Sequence, residues 1–308
     1  MKFRIPALGP FALSESIGFL EGFTPASSAE PVAGSGHLHL ALFVDGTDEP
    51  AGVCVQEARG GVAVEAATGG PAEAVRAQVA RILSLDVDAT AFEDIGRRDP
   101  VVGRLQARHP GLRPVLFMSP FEAAAWSIIG RRIRIAQAAG IKARMAEELG
   151  PVVEVHGDRL HAFPQPRALQ GLESFPGLNE RKMGWLRGLA EAASAGLLDP
   201  AGLRAMAPLD AVEQLKTIKG IGPFSADLIL VRGAGAPDHL PSHEPRLARA
   251  VRVAYGLDAE PSPEQLADLA EAWRPLRSWV SFLLRAYLEE ATRPVPGQDS
   301  ARADQAPS

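Results

Sequence analysis

Leu209–Arg249 reads LDAVEQLKTIKGIGPFSADLILVRGAGAPDHLPSHEPRLAR. Val212, Leu215 and Ile218 recur at helical spacing and mark one short amphipathic helix. Lys219-Gly220-Ile221-Gly222 then forms a tight hairpin, and Pro223 opens a second helix at its favoured first position. Phe224, Leu228, Ile229 and Val231 supply that helix with its apolar set. Two glycines let a backbone approach a ligand closely and leave amide groups free at a helix start. Such a place favours an anion, and a DNA phosphate is the natural candidate. Ile221, between the glycines, is placed to plug the core and hold the hairpin rigid. A lone G-x-G turn also suits an ordinary helical corner, so the flanking chain decides.

Working outward, residues from about 100 onward read as helix after helix. Ser119-Pro120-Phe121-Glu122 is a helix start with Ser119 as cap, Pro120 in the first turn and Glu122 closing a capping box. The helix after it is expected to carry Phe121, Ala125, Ile128, Ile129, Ile133 and Ala136. Ser262-Pro263-Glu264-Gln265 repeats the start logic. Punctuated helices are expected near 138–149, 166–172, 180–195, 209–218, 223–232 and 245–255. The first hundred residues differ. His37–Val44, Ala51–Glu57 and Gly61–Ala66 are short, alternating and broken by Gly or Asp, which favours an antiparallel sheet. Val75, Val79, Ile82 and Leu83 mark a helix beside it. The fold class is therefore α+β, a small sheet domain over 1–98 followed by a helical domain over 99–289. Residues 290–308 lack periodicity and are expected to be disordered.

The 308 residues are 46% hydrophobic and 22% charged, values that exclude a wholly disordered chain or a coiled coil. No apolar run reaches the roughly 18 residues that span a bilayer. Pro6, Pro10 and Glu15 interrupt any signal-peptide core, so the start reads as mature protein. The single cysteine, Cys54, excludes an internal disulfide, a four-cysteine zinc site and a four-cysteine iron–sulfur cluster. It suits a reducing, cytoplasmic setting. The net charge of −5 argues against nucleic acid until it is divided along the chain. Residues 1–100 hold 7 Lys/Arg against 14 Asp/Glu, whereas residues 101–289 hold 23 against 20. Phosphate binding depends on local basic surface, so the distribution permits a DNA partner. The seven histidines show no zinc spacing. His37, His39, His156, His161 and His239 read as structural or exposed, and no zinc is expected.

The hairpin segment, with Asp99–Leu112, Phe121–Ala138, Phe175–Ala190 and Trp273–Ser278, resembles the helix-hairpin-helix DNA glycosylases, and within them the DNA-3-methyladenine glycosylase II type. The resemblance covers roughly residues 100–290. It implies a TBP-like N-terminal domain, two helical lobes with a cleft between them, and a monomer acting on duplex DNA, nucleoid-associated when acting. The family's acid is usually the second of two adjacent aspartates beyond the hairpin. Here the matching stretch is LPSHEPRL, which places His243 at the first position and Glu244 at the second. Glu244 keeps the carboxylate and adds a methylene. A displacement of about 1 Å can cost roughly a hundredfold in a positioned reaction.

The resemblance makes Glu244 the catalytic acid, with His243 as a secondary candidate, and alkylated purines the bases removed. DNA contacts fall on Lys219, Gly220, Ile221 and Gly222, and on Arg131 and Arg132 at the family's minor-groove wedge. The base pocket maps to Phe19, Phe224, Leu228 and Arg285. Phe19 and Phe224 suit a core as well as a pocket, and Arg285 stands where the family carries an aromatic. Relatives that also cut the backbone carry a lysine at the Phe224 position, so hydrolysis without lyase activity is expected. No cofactor is required. The resemblance implies a Na⁺ or K⁺ ion on the backbone carbonyls of Lys216, Ile218 and Ile221, which leaves no side-chain signature. A DNA-binding relative that has lost turnover is the alternative. A helical interaction module that does not bind DNA is a weaker one, opposed by the hairpin and by Gly130–Arg132.

Overall fold

The computed structural model describes residues 1–22, 29–32 and 36–292, with only the backbone at 21, 22 and 29–32. The N-terminal part is a five-stranded antiparallel sheet of β1 (Lys2–Pro6), β2 (Ala29–Val32), β3 (His37–Phe43), β4 (Pro50–Ala58) and β5 (Gly61–Ala67), in the order β1-β5-β4-β3-β2. The three strands expected from alternation are β3, β4 and β5. The sheet's two faces meet different partners. Leu38, Leu40, Val53, Val55, Val62 and Val64 pack with Val75, Val79 and Ile82 of α2 (Ala72–Ile82) and with Leu13 and Leu20 of α1 (Leu13–Gly22). On the other face Ala41 and Cys54 pack with Val153, Val155 and Leu160. These belong to a two-stranded hairpin, β6 (Val152–Val155) and β7 (Asp158–His161), which the sequence reading had not separated from its helical surroundings. With both faces covered, β3 is buried between its end residues and β4 over Ala51–Val55.

Helices build the rest. One cluster unites α5 (Pro120–Ile129), α6 (Ile135–Leu149), α7 (Pro166–Gln170), α8 (Glu180–Ser194), α9 (Pro200–Ala205), α10 (Pro208–Lys216) and α11 (Pro223–Leu228), the last running into a wide π turn at Ile229–Ala234. A second unites α3 (Thr90–Arg98), α4 (Pro100–Arg108), α12 (Leu247–Tyr255), α13 (Pro263–Glu271) and α14 (Arg277–Ala291) around Trp273 and Trp279. α3 thus shares its core with the second lobe. α14 reaches Ala291, and residues 293–308 of the expected tail lie outside the described residues.

Two local readings need correction. The helix begun at Pro120 stops at Ile129 and does not carry Ile133 or Ala136. Lys182 Nζ donates to the Ile129 carbonyl at 2.8 Å, satisfying the helix end, and the chain turns through Gly130–Arg134 with Arg132 at φ 57°. At its start, Ser119 accepts from the Glu122 amide at 3.1 Å, but the Glu122 carboxylate does not reach back to complete a box. It pairs instead with buried Lys142 at 2.6 Å, binding α5 to α6. The box at Ser262 is complete, Ser262 accepting from the Gln265 amide and Gln265 Oε1 from the Ser262 amide.

Candidate active site

A cavity of about 410 Å³ opens between the two lobes. It gathers the candidate acid Glu244 and all four expected base-pocket residues, Phe19, Phe224, Leu228 and Arg285. Trp126, Val231 and Phe282 complete an apolar surround that sequence reasoning had not named. α11 presents Phe224 and Leu228 because Pro223 fixes the helix start immediately after the hairpin. Phe224 is 41% exposed, so it serves the mouth of the cavity and not the core. Phe19 comes from α1 and packs on Phe282 of α14 at 4.6 Å between ring centroids. The Arg232 guanidinium lies over both rings, 5.2 Å from Phe19 and 5.0 Å from Phe282, while donating twice to the Val115 carbonyl. Burial pushes this group down from its ordinary value, to about 9, so it remains a cation at neutral pH.

Glu244 sits in the turn that precedes α12. Its Oε1 accepts from Arg285 Nη1 at 2.8 Å and from the Arg246 amide at 3.1 Å. Its Oε2 accepts from no group among the described residues. Arg285 also donates to Glu289 one turn along α14, at 2.6 Å. The longer carboxylate is therefore held by a guanidinium in the place where the family carries an aromatic ring. A second carboxylate, Asp227, also lines the cavity and was missed. It is 2% exposed and saturated: Oδ1 pairs with His239 Nε2 at 2.7 Å, and Oδ2 with the amide and Nδ1 of His243 at 3.1 and 2.9 Å. An aspartate directly ahead of the apolar run Leu228–Val231 was the available signal. His243 does not line the cavity, and its ring turns to Asp227. Asp238 lies elsewhere, clasped by Arg274 and Arg277 at 2.9 and 2.8 Å.

The hairpin is built as its spacing requires. Ile221 is buried in the first lobe's core. Gly220 has φ 98°, and a Cβ there would meet Trp185 at 2.8 Å, so only glycine fits. Gly222 faces open space, where a Cβ would touch nothing within 4 Å. Lys219 is exposed at the tip. Arg131 bridges to this hairpin, donating to the Gly220 carbonyl at 3.3 Å with its guanidinium 5.1 Å over the Trp185 ring. Arg132 is exposed at the apex of the adjoining turn. The hairpin and the Gly130–Arg132 turn are thus neighbours on one surface. Lys216 ends α10, Ile218 and Ile221 lie in the hairpin that follows, and the Ile218 carbonyl accepts from the Ile221 amide at 3.0 Å.

No protein-family model matches the chain. Individual proteins do. The chain is 30% identical to DNA-3-methyladenine glycosylase 2 of Escherichia coli over 211 residues, 63% of this chain and 66% of that one. It is 26% identical to the DNA-3-methyladenine glycosylase of Bacillus subtilis, over 65% of this chain and 67% of that one. The match spans about two thirds of each relative. In three dimensions the chain is similar to the 3-methyladenine DNA-glycosylase of Archaeoglobus fulgidus, with a TM-score of 0.79 at 23% identity, covering 95% of this chain and 100% of that one. The two lobes, the cleft and the hairpin are the helix-hairpin-helix glycosylase fold. The chain belongs to that superfamily, and within it to the DNA-3-methyladenine glycosylase type.

Proposed function

We propose that the protein is a monofunctional DNA glycosylase, active as a monomer, that hydrolyses the N-glycosidic bond of alkylated purines in duplex DNA. The observation that carries this reading is the meeting of Glu244, Phe19, Phe224, Leu228 and Arg285 in one cavity beside the hairpin. A base inside a duplex must be turned out of the stack, at a cost of a few kcal/mol. The exposed Arg132, in a backbone conformation that few side chains adopt, is suited to fill the gap it leaves. The amides of Gly220 and Gly222 and the Lys219 ammonium suit a phosphate beside the lesion. The aromatic walls stack the everted base.

An alkylated purine leaves readily, so the reaction needs a negative charge near the sugar more than a strong acid. Glu244 meets that need. Arg285 and the Arg246 amide fix Oε1, which leaves Oε2 to face the developing oxocarbenium ion and to orient the attacking water. Water's proton passes to the carboxylate as its oxygen bonds to the sugar carbon. Phe224 offers no amine for a Schiff base, which supports hydrolysis without strand cleavage. A monovalent cation on the carbonyls of Lys216, Ile218 and Ile221 would stiffen the hairpin, and no step depends on it.

The Arg285–Glu244 pair favours one second reading, a damage-binding protein whose acid is neutralised. Duplex oligonucleotides holding 3-methyladenine, 7-methylguanine, ethenoadenine or hypoxanthine separate the two. Alkali-labile abasic sites made by the wild type and lost with Glu244→Gln support the enzyme. Salt-dependent binding without product on any lesion supports the binder.

A further inference from the structure

On the sheet face away from α2, β3 and β4 bring together residues that linear spacing keeps apart. Cys54 lies directly opposite His39 in the register, and Glu65 of β5 lies opposite Cys54 on its other side. His37 is two residues from His39 and shares its face. The tip of the β6–β7 hairpin reaches over this face and adds His156 and Asp158. His37, His39, Cys54 and His156 each offer one donor atom, and these atoms lie within 4.8 Å of one another. Cys54 Sγ is 3.9 Å from His37 Nδ1. The His39 and His156 rings stand edge to face, with centroids 5.4 Å apart.

His39 makes the arrangement more than a coincidence of surface histidines. The residue is 2% exposed, its Nδ1 is 2.9 Å from Asp158 Oδ2, and its Nε2 is buried with no hydrogen-bond partner. Buried polar atoms without partners are rare in native proteins. A carboxylate on one ring nitrogen fixes the tautomer that leaves the other nitrogen's lone pair available, which is the usual support of a metal-bound histidine. Glu65 stands in similar relation to His156, 3.6 Å from its Nε2.

We propose that His37, His39, Cys54 and His156 form a structural zinc site that staples the β6–β7 hairpin to the N-terminal sheet. One thiolate and three imidazoles suit zinc in a closed tetrahedral site. Zn–N and Zn–S bonds of about 2.0–2.3 Å place tetrahedral donors roughly 3.3–3.6 Å apart, so the set contracts by about 1 Å around the ion. Binding releases the Cys54 proton to solvent as the sulfur–zinc bond forms, with no change of oxidation state. The absence of a zinc spacing in the sequence is accounted for, because β register and not a short motif assembles the donors. The site stands apart from the cleft and does not depend on how the cleft is read.

The test uses the untagged full chain. Purified from zinc-supplemented medium and dialysed, it is expected to retain stoichiometric zinc by elemental analysis. Stripped with a chelator and titrated with Co²⁺ under reducing conditions, it is expected to develop a near-ultraviolet thiolate-to-cobalt charge-transfer band and tetrahedral d–d bands. Cys54→Ser removes the charge-transfer band, and Asp158→Asn weakens zinc about 10–100-fold. A folded wild type that retains no zinc and gives only the weak spectrum of hydrated Co²⁺ overturns the proposal. So does a charge-transfer band that survives Cys54→Ser. The wild-type measurements decide even if a variant fails to fold.

Discussion

The cleft has two unlike walls. Trp126, Phe224, Leu228 and Val231 from the first lobe make an apolar wall whose outermost ring is partly in solvent. Glu244, Arg246, Arg285 and Glu289 from the second lobe make a charged wall whose members hold one another. Stacking needs only a surface of the right size, so the apolar wall tolerates change in small steps. Charge stabilisation needs an atom within a fraction of an ångström, so the charged wall does not. Within the cavity lining, the same distinction separates two of the carboxylates, Asp227 and Glu244. Asp227 spends both oxygens on histidines, whereas Glu244 has only Oε1 engaged among the described residues.

The largest effect is expected on the charged wall. Glu244→Gln keeps the shape, removes the charge and should lower excision of an alkylated purine by about a hundred- to a thousandfold in single-turnover assays. Unchanged turnover breaks the contrast and moves the acid elsewhere. On the apolar wall, Phe224→Ala should weaken lesion-DNA affinity by about 1–3 kcal/mol in a titration, with an unchanged melting temperature because the ring is half in solvent. The hairpin beneath that wall divides similarly. Gly220→Ala should cost about 1–3 kcal/mol of stability in urea unfolding, since its backbone and Trp185 both exclude a side chain. Gly222→Ala should cost under about 1 kcal/mol and instead weaken DNA binding. The smallest effect concerns the outer end of α14, which carries the charged wall. The Arg108 guanidinium bonded to Glu290 holds that carboxyl below its usual value. A depressed carboxylate stabilises the fold above its unfolded value, about 4.3, and loses that contribution as pH falls through the lower folded one. Wild type should therefore lose its small advantage over Glu290→Gln in that acid range. An advantage that grows on acidification refutes the assignment.

The hairpin and its two flanking helices were legible because each depends on residues close in sequence: a glycine that must turn and a proline that must start a helix. Glu244 was singled out through the family resemblance alone, since a carboxylate at a helix start is common for structural reasons. The three central strands were legible for the same local reason as the hairpin. The break after Ile129 was not, because Ile133 and Ala136 continue the helical period and the turn is set by a lysine 53 residues away. The capping-box reading of Glu122 failed where Lys142 offered a stronger partner. Trp126 and Phe282 look like ordinary core residues until two lobes bring them to one cavity. The histidine–cysteine group is the extreme case. Strand register and a hairpin 119 residues from His39 create it, and neither is written in any short stretch.

Arg232 reaches from the first lobe to lie over a ring from each of its neighbours, one on α1 and one on α14. The amino-terminal helix is consequently a piece of the cavity wall. A chain trimmed to its two helical lobes would lose the roof of that cavity and leave a cation over half its aromatic seat. The cavity is therefore closed only when the segment between β1 and β2 is present.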